Sequence, residues 1–155
     1  MKIDVLEELA SADEDRVLRV GEPDVCAIVD WRDGAKEVID AVAEFLPPDF
    51  LSWEVVDSLT IRVCAEGRPS KEIRLENQKQ EPFINDLNEV ISPEFEIRQF
   101  RPCDGDGYSL LVRPTAWWRE VTTQHPELIE QNFLTTERLA VFWNKSYFGR
   151  LFSKP

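Results

Sequence analysis

One histidine, three scattered cysteines and the lack of any long apolar run close off several classes of chemistry in this 155-residue chain. A zinc site needs a cluster of His and Cys ligands, which His125 with Cys26, Cys64 and Cys103 does not supply. Those cysteines are odd in number and unrelated in spacing, so they make neither a disulfide framework nor a CxxC pair. No stretch approaches the ~20 apolar residues that cross a bilayer. The opening MKIDVLEELASADED has neither the basic start nor the apolar stretch of a signal peptide. The expected compartment is therefore the cytosol, with no membrane among the partners. The phosphate-cradling patterns GxGxxG and GxxxxGK are absent as well. Cys103-Asp104-Gly105-Asp106-Gly107 opens like a calcium loop, but Tyr108 and Thr115 fall where ligands are required, so Asp104 to Gly107 read as turn residues. No cofactor and no metal is expected.

Acidic residues are abundant. The formal charge is -12, and residues 1–57 hold sixteen of the thirty Asp and Glu but only five of the eighteen Lys and Arg. The acidity thus belongs to the first third, with Asp13, Glu14 and Asp15 its densest run. Such a patch speeds association with a basic protein and repels duplex nucleic acid at low salt. The competing role for these acids is solubility. With 43% hydrophobic and 31% charged residues, the composition is that of one folded domain, and the prolines and glycines mark turns without forming a linker.

Hydrophobic periodicity predicts an α+β fold: a mainly antiparallel β-sheet with helices packed on one face. Helices are expected over residues 3–10, from Ala35 to Leu46 with Asp33 as cap, and from about Pro82 to Ile91. Strands are expected at 16–20, 25–31, 52–57, 59–64, 71–76, 95–100, 108–113 and 138–143. Two stretches repeat an order: residues 25–64 and 71–113 each run strand, helix, Pro-acid-Phe, strand, strand, a candidate βαββ duplication.

Ile61-Arg62, Ile73-Arg74 and Ile97-Arg98 repeat one dipeptide on three of these strands, with Val112-Arg113 close in kind. Alternation puts the aliphatic residues on the helix-covered face and the arginines on the other, with Glu72, Glu76 and Glu96. That face is either a solvated lattice of ion pairs or an arginine docking surface. It lacks the rings that single-stranded nucleic acid would stack on, so a protein partner fits better.

Residues 115–133 read as a helical hairpin, its first helix capped by Thr115 and its second opened by Pro126. His125 falls at the turn, where it most simply redirects the chain. Trp117 and Trp118 point about 100° apart on a helix, so either one is core and the other semi-exposed, or both sit at the flanks of a wide apolar face. Trp118 with Arg119 is the candidate anchor for a partner, and the aromatic, basic segment 144–155 is a second recognition element or a cover for the acidic third.

Three functions compete. The leading expectation is a non-enzymatic acidic protein-binding module, one concrete version being an inhibitor of the immunity type that occludes a basic partner. The alternatives are a small hydrolase-like enzyme using carboxylates and His125, and a self-associating structural subunit. Partner contacts are assigned to Trp118, Arg119, Arg62, Arg74, Arg98, Asp13, Glu14 and Asp15, and no catalytic residue is assigned.

Overall fold

Short caps and turns start the chain, which a computed structural model describes over residues 3–75, 79–103 and 105–144, the last three of them by backbone alone. Helix α1 (Val5–Leu9) opens on Asp4, whose carboxylate accepts from the backbone N–H groups of Leu6 and Glu7. Helix α2 (Glu14–Leu18) opens on Asp13 and runs into a single 3-10 turn, Arg19–Gly21. Strand β1 (Ala27–Asp30) leads to α3 (Ala35–Ala43), then to the meander β2 (Leu51–Asp57), β3 (Thr60–Ala65) and β4 (Lys71–Arg74). Helix α4 (Gln80–Ile91) precedes the hairpin β5 (Phe95–Phe100) and β6 (Gly107–Pro114). The chain continues through α5 (Thr115–Gln124), α6 (Pro126–Asn132), β7 (Phe133–Thr135) and α7 (Thr136–Asn144).

The fold is α+β and every described strand pair is antiparallel, but the strands divide into two sheets where the sequence pattern suggested one. One sheet has the order β1-β6-β5-β7, and the other is the meander β2-β3-β4. The division follows from which strands pair. Strand β1 joins β6 rather than its own neighbours β2 and β3, while β4 joins β3 rather than β5 and β6. Each βαββ stretch therefore lends its first strand to the hairpin of the other.

Helices cover both faces of the four-stranded sheet rather than one. Alternation on β5 and β6 sends Ile97, Leu110 and Val112 towards α3, α4 and the meander, in one apolar cluster. It sends Phe100 and Leu111 the other way, against α1, α5 and α6, in a second cluster centred on Trp118. A strand buried on both faces reads as a continuous apolar run, as Leu110 to Val112 of β6 does. Where β6 begins, Gly107 faces Asp30 of β1, and a Cβ there would lie 2.1 Å from the Val29 carbonyl oxygen.

Four local expectations are corrected. Residues 16–20 are helix and 3-10 turn, not strand: Asp13 starts a helix by accepting from the Asp15 N–H, and one turn suffices to bury Val20. Residues 138–143 lie in α7, not in a strand. Leu139 and Ala140 are both buried while Val141 is exposed, a one-sided helical pattern rather than alternation. Asp33 does not cap α3; its carboxylate accepts from the Asp30 N–H at 2.8 Å, and Glu37 reaches back to the Gly34 N–H at 3.1 Å. Thr115 is already the first helical residue of α5, and its Oγ1 is buried without a partner among the described residues.

Candidate functional site

Four arginines that look alike in sequence are sorted by the two sheets into different surroundings. Arg62 and Arg74 lie on the outer face of the meander, because Ile61, Val63 and Ile73 turn inward. Both arms of Arg62 are engaged: Nη1 with Glu54 across β2, and Nη2 with Glu72 across β4 at 2.7 Å. Arg74 is exposed opposite Thr60. This face is largely a solvated ion-pair lattice, in which water and salt screen each pair. Glu76, expected beside them, lies outside the described residues, as do Lys145 to Pro155 of the expected recognition segment; the ring of Trp143 is likewise not described.

Arg98 and Arg113 lie instead on the face of the other sheet that α1, α5 and α6 cover. Arg98 donates from Nε to Glu96 at 2.6 Å, and its guanidinium sits 4.5 Å from the centre of the Trp118 ring. Trp118 is fully buried. Its ring stands edge-on to Trp117 at 4.9 Å and to Phe133 at 5.0 Å, and its Nε1 donates to the Glu96 carbonyl at 2.9 Å. The assignment of Trp118 as a surface anchor is therefore overturned: the turn into α5 aims it at the second core cluster, and Trp117 is the ring left at the flank. Arg98 is held inside the same cluster, its side chain only 16% exposed, which removes it from a docking surface as well.

Arg119 is exposed on α5, remote in role from the Trp118 ring beside it in sequence. Asp13, Glu14 and Asp15 are exposed at the start of α2, where Asp13 serves as cap. The eight assigned residues are thus not one surface. The structure joins Arg98 with Trp118, keeps Arg62 and Arg74 on adjacent strands of the meander, groups Asp13, Glu14 and Asp15 at the start of α2, and leaves Arg119 exposed on α5. His125 is exposed between α5 and α6; its N–H donates to Val121 at 2.8 Å and its carbonyl accepts from Ile129 at 3.1 Å, so it turns the chain.

Among the described residues, no group of three or more His, Cys, Asp and Glu is placed to hold a metal ion, and no helix is long and apolar enough to cross a membrane. Two features were not anticipated. The first is the outer edge of β2. Phe50 accepts from the Glu66 N–H at 2.8 Å and Leu59 from the Leu75 N–H at 2.7 Å. Continuing this alternation along the registers gives the even-numbered residues of β2 the bonds to β3 and leaves the N–H and C=O groups of Leu51, Trp53 and Val55 pointing outward. No other described strand pairs with that edge. Val55 is 65% exposed, with Val56 and Leu59 also exposed beside it. The signal was present in the sequence, since LSWEVVD contains no lysine or proline to blunt an edge. A bulge follows Val55 and limits the flat part to its first five residues.

The second feature is a cleft of about 880 Å³ beside Arg113, where α1, the end of α3 and the end of β6 meet. Its signal was hidden, because it depends on β1 being shorter than its partner. The β1–β6 register ends at Ala27 opposite Leu110, while β6 runs on to Pro114. No family model, curated protein or solved structure matches this chain.

Proposed function

We propose that this protein is a binding module that takes an extended segment of a basic partner protein onto the outer edge of β2, occluding that segment as an inhibitor does. The carrying observation is the outward row of backbone groups at Leu51, Trp53 and Val55 on a strand with no edge protection before its bulge. Strand addition satisfies such groups, and alternate side chains supply the specificity. Charge supports the sign of the partner. Glu54 and Asp57 lie on β2, Asp49 and Glu66 flank it, and residues 1–57 carry most of the chain's excess of acids. The exposed valines offer an apolar contact between these charges.

Val55→Pro removes one outward N–H without touching the ladder to β3, since proline is tolerated where the missing donor faced solvent. Wild type and V55P would be used to capture proteins from the native source at about 50 and about 500 mM salt, a range that shortens the Debye length several-fold. The expected result is one stoichiometric basic protein held by wild type at low salt, released at high salt and not held by V55P. Equal capture by V55P, or no specific capture by wild type, overturns the proposal.

A further inference from the structure

The cleft beside Arg113 carries a second inference that stands apart from the β2 edge. Beyond Ala27 the chain turns away from the sheet, and the last stretch of β6 is left without β1 beside it. Arg113 curls back at this place and donates from Nη1 to the carbonyl of Val112 at 3.0 Å. That bond uses one of five guanidinium N–H groups.

A half-buried guanidinium ordinarily faces a carboxylate, and the cross-strand neighbour of Arg113 is one: Glu96 of β5. Glu96, however, is engaged with Arg98 on its own strand. Among the described residues no carboxylate pairs with Arg113, and burial lowers its affinity for its proton. A charge kept in partly apolar surroundings, with the Val112 carbonyl its one hydrogen-bond acceptor among the described residues, is poised for an anion.

The rest of the cleft defines that anion. Its walls include Ile3, Leu6, Phe45, Phe95 and Trp117, so the body of the ligand is apolar. Asp4 and Asp24 also line it, although Asp4 is occupied in capping α1. These carboxylates on the cleft wall disfavour a dianion such as a phosphate ester and leave room for a single negative charge. The volume lies within the range of small-molecule sites, roughly 300–1,000 Å³.

We propose that this cleft binds a monocarboxylate with an aliphatic or aromatic body, its carboxylate held by Arg113 and its body packed between α1, α3 and Trp117. The same chemistry is presented by a free organic acid and by the C-terminal residue of a peptide.

The test titrates the full chain, by calorimetry and by amide chemical shifts, with 4-phenylbutyrate and octanoate and with their primary amides. A parallel arm uses Ala-Ala-Phe as free acid and as C-terminal amide. Binding of the acids is expected, with the amides weaker by about tenfold or more, the scale of a charged hydrogen bond. Binding of the small acids alone identifies a free metabolite as the source; binding of the peptide acid as well admits a peptide C-terminus. Arg113→Gln is expected to abolish the acid-over-amide preference, and Asp24→Asn to tighten acid binding. If R113Q does not fold, Arg113→Lys keeps the charge but not the planar fork and is expected to weaken binding. Equal affinity for acid and amide in the wild type overturns the proposal, as does the absence of binding by every acid at millimolar concentration.

Discussion

Glu96 and Arg113 face each other across β5 and β6, yet they do not pair, because Arg98 holds the Glu96 carboxylate at 2.6 Å from along the same strand. The Arg98 guanidinium is itself fixed over the Trp118 ring, and the indole N–H binds the Glu96 carbonyl. One buried tryptophan thereby decides which of two arginines receives the carboxylate. Arg113 is the one left to face the cleft.

Releasing Glu96 should therefore close the Arg113 site electrostatically. In Arg98→Met the carboxylate loses its partner and turns to the cation opposite, as cross-strand pairs do. Affinity for 4-phenylbutyrate is expected to fall several-fold, and adding Glu96→Gln should restore it. Titrating the single and double variants checks this. Unchanged affinity in R98M would show that Glu96 does not compete for Arg113.

The two adjacent tryptophans should differ sharply in their structural weight. Trp118 is fully buried, with its N–H bonded, a cation on its face and two aromatic neighbours. Its truncation to Ala is expected to cost about 3–5 kcal/mol. Trp117 is only partly buried, so Trp117→Ala should cost about half as much or less. Urea melts of both variants decide the order, and a larger loss in W117A would reverse the assignment of core and flank.

Alkaline pH should loosen the fold in a way that depends on Cys26. Burial pushes its thiol up to about 12, and the thiol donates to the Val20 carbonyl at 3.0 Å. Unfolded, the same thiol titrates near 8.5. Below that pH both states hold the proton and stability is unaffected; above it the unfolded chain ionises first, so stability falls as pH rises towards 12. By pH ~10.5 the loss amounts to at most about 3 kcal/mol. Urea melts at about pH 7.5 and 10.5 should show wild type losing more than Cys26→Ala, and parallel losses would contradict a thiol kept protonated by burial.

Much of the architecture was legible in the chain because it is written locally. The 3.6-residue spacing from Ala35 to Leu46 and from Phe83 to Ile91 marks helices α3 and α4, and Pro126 marks the start of α6. The runs at 52–57, 95–100 and 108–113 mark β2, β5 and β6 to within a residue or two. Short segments such as 16–20 and 138–143 fit either period, and their state was set by caps and packing partners that lie outside the window.

The chain by itself determined an α+β domain with antiparallel strands, an acidic first third, and four arginines at alternate strand positions. Periodicity, charge and turn residues act over a few positions, so they are present in the unfolded sequence. Only the tertiary structure decided that the strands form two sheets, each βαββ stretch lending its first strand to the other. For β1 that choice rests on contacts with β6 about eighty positions away, which no local pattern contains, whereas β4 reaches β3 through a short turn. The same exchange set the fate of the look-alike arginines. It placed Arg62 among carboxylates in solvent, Arg98 beneath Trp118, and Arg113 where β6 outruns β1, because a side chain's chemistry follows from the neighbours that folding brings to it.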